Sequence, residues 1–130
     1  MSFADYWEDE ILDHLFGKGS YTPPTIYVGL STADPGEGGA TLAEPSGDGY
    51  ERVETAASDW NSSSGGDITN ANVIEFPEAS GSWGTITHFC LFDADSEGHM
   101  LASGELTDSV AIGSGETPRF PASDLTVSLG

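Results

Sequence analysis

The stretch Asp93-Ala94-Asp95-Ser96-Glu97-Gly98 has the residue types and spacing that come nearest to a chemical task. It copies the opening of a calcium loop, with side-chain oxygens at positions one, three and five and glycine at six. The match stops there. Position twelve is Gly104 instead of a bidentate glutamate, and the flanks alternate like strands instead of helices. The segment therefore reads as a solvated acidic hairpin turn with no metal site. Asp93, Asp95 and Glu97 are the residues that would ligate a cation if one were held. The histidines are His14, His88 and His99, and the single cysteine is Cys90. His88 and Cys90, two apart, point to one face of a strand, but zinc needs three or four nitrogen or sulfur ligands. A satisfied core histidine and a small buried thiol are the expectation. One cysteine also excludes an intrachain disulfide.

Other chemistry is weaker still. No serine sits in a strand–turn–helix elbow that would expose a nucleophile to a histidine base. With 22 acidic residues no catalytic carboxylate pair stands out. The glycine clusters at 36–39 and 47–49 have no lysine or helix behind them and read as turns, not phosphate cradles. No enzyme and no cofactor is expected.

Charge bounds the partners. Against the 22 acids stand Lys18, Arg52 and Arg119, a formal net charge of −19. Binding to nucleic-acid phosphates is excluded at that balance. The acids are scattered along the chain and read as a solvated surface, not an acidic tail. In dilute buffer such self-repulsion strains a compact domain. At about 1 M salt the Debye length is only about 3 Å, and the repulsion is largely removed. An acidic, lysine-poor surface of this kind fits a halophilic source. Apolar residues make up 37% and aromatics 10%, enough for a core in one domain of 130 residues. No run reaches the roughly 18 apolar residues of a membrane span. The acidic start MSFADYWEDE is no secretory signal, so synthesis and folding in the cytoplasm are expected.

The elements that would position these residues are mainly β. The spacing of Phe3, Trp7, Ile11 and Leu15, widened by Tyr6, Leu12 and Phe16, predicts an amphipathic helix over residues 2–16. Ser2 would cap it, with Asp5 three residues on, and Gly17 would close it. After residue 18 the period changes to two. Ile26, Val28 and Leu30 share one face of a strand. Further strands are predicted over 50–57, 70–76, 83–92, 99–106, around Val110 and Ile112, and over 125–129. About seven short strands at 8–12-residue spacing imply an antiparallel β-sandwich over 19–130, preceded by the N-terminal helix in 1–18, as one domain overall. The helix stripe would close the sandwich or lie in a groove of a neighbour. Phe3, Tyr6, Trp7, Ile11, Leu15 and Trp60 are the candidate interface residues, because large rings concentrate at such surfaces.

Several segments together resemble a family of small tailed-phage virion proteins of head-decoration or tail-fibre-like type. They are Glu10-Ile11-Leu12-Asp13-His14-Leu15, Ile26-Tyr27-Val28-Gly29-Leu30-Ser31-Thr32, Glu44 to Val53, and Ile74-Glu75-Phe76-Pro77. Gly81 to Phe89, leading into Leu91-Phe92-Asp93-Ala94, continues the likeness, as do Leu101 to Leu106 and Phe120 to Leu129. The resemblance implies an all-β module located in the virion, assembling as a homo-oligomer with other virion proteins. The acidity departs from the usual pattern and puts the host in question, not the fold. The expected role is a capsid decoration, cement or vertex (turret or spike-base) subunit, because a short single domain suits a shell component. The alternatives are a tail or fibre adaptor, or a module that touches host-surface glycan through a tryptophan such as Trp60.

Overall fold

The computed structural model describes residues 2–129. Among them are nine strands and one α-helix. In chain order these are β1 (Ser2–Phe3), α1 (Asp5–Leu15), β2 (Tyr27–Ser31), β3 (Val53–Glu54) and β4 (Asp67–Thr69). They continue with β5 (Ile74–Glu75), β6 (Gly84–Phe92), β7 (Met100–Ile112), β8 (Arg119–Phe120) and β9 (Thr126–Ser128). All pairings are antiparallel. The fold is mainly β with one N-terminal helix, as expected.

A five-stranded sheet of order β1-β7-β6-β2-β3 forms one layer. Two ribbons, β4-β9 and β5-β8, lie on it and share its core. The register aligns Val28 with Leu91 and Leu30 with Phe89, and Leu91 in turn with Ala102. Side chains on paired positions share a face, so these five make the floor of the core. Ile74, Phe76, Trp83, Leu125 and Val127 come from the other layer and meet them. Phe120 stacks edge-on against both Phe76 and Phe89, at 6.2 and 6.1 Å between ring centres. Buried Asn70 ties this layer down. Its Oδ1 accepts from Leu125 N at 2.9 Å, and its Nδ2 donates to Asn72 O and Pro121 O at 2.9 Å each.

The opposite face of the sheet aligns Gly29 with Cys90 and Cys90 with Ser103. The long connection after β2 lies over it. Thr32 N donates to Ala43 O at 3.0 Å, and Ala43 N donates to Ser31 Oγ at 3.1 Å. Both faces are therefore buried, which is why the run from Phe89 to Phe92 is apolar without alternation.

Four element boundaries differ from expectation; the simplest is the strand predicted over 70–76, which contracts to Ile74–Glu75. The helix begins at Asp5, not Ser2; Ala4 is its N-cap and no side chain caps it. Ser2 and Phe3 instead pair with Ser103 and Ala102 of β7, because that edge offers the backbone more partners than a frayed first turn does. The strands predicted over 99–106 and around 110–112 are one strand, β7. It makes room for Thr107-Asp108-Ser109 by a shift of register between Ile86 and His88 of β6. The strand predicted over 50–57 shrinks to Val53–Glu54, followed by a 3₁₀ turn over Ala57–Asp59. No helix among the described residues is long and apolar enough to cross a membrane.

Candidate functional site

Helix α1 meets the sheet along β7, and the contact is one-sided. Ala4 N donates to Leu101 O at 2.7 Å, which pins the helix entrance to the sheet. Trp7 stacks on Phe3 at 4.6 Å, and both pack against the core together with Tyr6. The Tyr6 ring also lies parallel to His99 at 3.8 Å. At the other end the chain closes with a tight cap. Lys18 N donates to Asp13 O at 2.7 Å and Gly17 N to His14 O at 3.3 Å, with Gly17 at φ 73°. Gly17 thus serves the closing role expected of it. No residue of the helix is fully buried. Leu12, Leu15 and Phe16 are 53, 70 and 75% exposed. The stripe read from the sequence is therefore split. Phe3, Tyr6 and Trp7 are packed within the chain, Ile11 is half-buried, and Leu15 is out in solvent. Trp60 is partly buried against the core, and its indole N–H donates to Thr55 Oγ1 at 3.0 Å.

The turn of residues 93–98 joins β6 to β7. Asp93 is spent on closing it: Oδ1 accepts from His99 N at 2.7 Å and Oδ2 bonds the His99 ring at 3.0 Å. Burial works against its charged form, but the His99 amide and ring outweigh it, and the carboxyl titrates below its ordinary range. Gly98 allows the closure. It has φ 65°, and a Cβ there would sit 2.5 Å from Asp93 Oδ1. Asp95 and Glu97 point to solvent and do not converge with Asp93 on one point. Among the described residues, three carboxylates come within 4.8 Å of one another elsewhere, at exposed Asp5, Glu8 and Glu37. His88 pairs with neighbouring Thr87 Oγ1 at 2.8 Å. Cys90 is fully enclosed, and burial pushes its thiol up to about 12, so no thiolate forms near neutrality.

A buried polar cluster centred on Arg52 carries no signature in the sequence. Arg52 Nε and one terminal nitrogen grip Glu44 at 3.0 and 2.6 Å. Its other terminal nitrogen donates to Ala94 O at 2.7 Å and Glu97 O at 3.0 Å. The guanidinium carbon sits 3.5 Å above the centre of the Phe92 ring, and the side chain is only 6% exposed. Glu44 also accepts from Tyr50 Oη at 2.6 Å, and that hydroxyl accepts from Leu30 N at 3.0 Å. Burial and the bond to Glu44 keep the Tyr50 hydroxyl protonated far above its usual range. Gly29 makes the space: a Cβ there would lie 2.7 Å from the Phe92 ring and 2.9 Å from Tyr50 Oη. The clasp joins the connection after β2 to the β6–β7 turn. It draws on three segments that carry the virion-family resemblance: residues 26–32, 44–53 and 91–94. The one available signal is scarcity: Arg52 is one of only three lysine and arginine residues in the chain.

Beside the clasp is an open cleft of about 500 Å³, bordered by Glu44, Ser46, Glu51, Arg52, Asp95 and Glu97. Its rim is acidic. The only cation in it, Arg52, already donates four hydrogen bonds inside the fold. The arrangement holds chain segments together, and it commits four of the five N–H donors of Arg52 inside the fold.

Compared with known proteins, residues 2–128 match the family described as Gp80, Podophage GP4 fiber I protein gp80. No curated protein matches the chain. The match spans nearly the whole sequence, so the chain belongs to that family. The resemblance to tailed-phage virion proteins holds at the level of a phage fibre family.

Proposed function

We propose that this member of the fiber I protein family is a structural, non-catalytic subunit of a tailed-virus particle, stationed at the fibre. The family match over residues 2–128 carries the reading. The geometry agrees with it. The polar cluster Arg52-Glu44-Tyr50 is bonded within the chain and braces the fold, and the Cys90 thiol is enclosed in the core. The chain would assemble with other virion proteins and with further copies of itself. The fibre description of the family supports a tail station over the head shell expected from a short single domain. Gel densitometry of purified particles tests this. A handful of copies per particle supports a fibre station. Tens to hundreds would return the chain to the shell as a decoration, cement or vertex subunit. Absence from particles would end the virion reading.

The surface charge belongs to the same proposal. Of the acidic side chains, most are exposed, while Lys18, Arg52 and Arg119 are the only fixed cations. Such a surface suits a virion that lives in concentrated salt. We expect the melting temperature of the purified chain to fall as salt drops from about 2 M to 0.1 M, where the Debye length grows to about 10 Å. A melting temperature that stays flat over that range removes the halophilic part and leaves the virion role standing.

A further inference from the structure

We infer that Leu12, Leu15 and Phe16 form the surface by which this chain docks into an apolar groove, rimmed by lysine or arginine, on another virion protein. The inference rests on the virion reading above and names the face and the chemistry of the contact. The three side chains are the most exposed large apolar groups of the helix, at 53, 70 and 75%. Their i, i+3, i+4 spacing places them side by side on one stripe. Single exposed apolar side chains are ordinary, whereas a contiguous group of them marks a contact.

The stripe is also rigid. The face that carries Tyr6 and Trp7 is fastened to the domain. The helix end is locked by the bonds from Gly17, Lys18 and Gly19 to His14 and Asp13, and by Tyr21 N donating to the His14 ring at 3.2 Å. A surface already held in shape loses little freedom on binding.

Charge selects the occupant. Glu8 precedes Leu12 and Leu15 by four and seven residues, and Asp9 precedes Leu12 and Phe16 by three and seven. Both acids therefore continue the same stripe, and both are exposed. Asp13 is exposed beside Phe16. None of the three forms an ion pair among the described residues. A second copy of the chain, meeting this face symmetrically, would set these carboxylates against their own equivalents. A groove with a basic rim answers both the apolar stripe and its acids, and short-range pairing of that kind persists when salt screens the long-range field.

The test is particle incorporation. Particles are grown with Leu15→Asp/Phe16→Asp as the only source of the chain, and its level is measured against the major capsid protein. The substituted positions are exposed, so the purified variant should keep its urea midpoint while its level in particles falls about tenfold or more. As a second measurement, a photocrosslinker at position 15 in the otherwise unchanged chain should join it to a Lys- or Arg-rich segment of a different virion protein. Wild-type levels of the double variant, or crosslinks only to another copy of this chain, would overturn the docking assignment alone. Absence of the wild-type chain from particles would overturn the virion reading and this inference together.

Discussion

Two regions of the molecule invert the ordinary rule of polarity. At the Arg52 clasp, a cation and a carboxylate lie almost out of water, gripped by each other, by Tyr50 and by two backbone carbonyls. At the end of α1, Leu12, Leu15 and Phe16 stand in water with nothing of the described chain over them. Each is costly in isolation. The clasp is tolerated because every partner it needs is in the same chain. The stripe has no such partners. Burial of the charge therefore bears on stability, while exposure of the apolar groups is what the docking proposal rests on. The contrast separates residues that brace the fold from residues proposed to meet a partner.

Substitutions can break that contrast from either side. The largest effect should come from Arg52→Leu, which leaves Glu44 a mostly buried, unpaired carboxylate. We expect a loss of about 3–5 kcal/mol in urea unfolding. A loss below about 1 kcal/mol would mean the clasp does not brace the fold. Next is Trp7→Asp, which places a charge where the helix meets Phe3 and the core. About 2–3 kcal/mol should be lost, and an unaltered midpoint would show that the helix is not fastened to β7.

The third substitution sharpens the picture at the turn. The folded Asp93 carboxyl titrates below its unfolded value of about 4. Its contribution is present above that value and disappears as pH falls through the lower, folded one. Asp93→Asn should therefore be less stable than the parent near neutrality, and the gap should close as pH falls through the lowered folded titration of Asp93. A gap independent of pH would assign the effect to shape and not to charge. The smallest effect belongs to the stripe: Leu15→Ser should shift stability by under about 0.5 kcal/mol. A larger loss would show that the stripe packs within its own chain.

How much of this was legible in the sequence follows from the range of each interaction. Ile26, Val28 and Leu30 alternate because one face of β2 meets the core, and a strand was read there directly. The alternation of Leu125, Val127 and Leu129 marks the closing strand, yet Leu129 is 66% exposed although its N–H still donates to Gly66 O at 3.0 Å. Strands β4 and β8 were invisible. Asp67–Thr69 and Arg119–Phe120 carry no pattern of their own and are strands only because β9 and β5 lie beside them. The helix was legible, but its start was not, since β7 captures Ser2 and Phe3. The clasp was hidden for a stronger reason: Glu44, Arg52 and the 94–97 carbonyls come together only after two connections have folded over the sheet. Of the turn, the acidic character was plain, while the diversion of Asp93 to His99 depended on how the hairpin closes.

As proposed, this chain is a fibre-borne structural part whose exposed helix end is covered by a neighbour. A side-chain-resolution reconstruction of the assembled particle tests that most directly. It should show the five-stranded sheet in the tail-fibre assembly, with Leu12, Leu15 and Phe16 seated in a basic-rimmed groove of another protein. Finding the chain tiled over the head shell, or finding the helix end still bare in the particle, would contradict it.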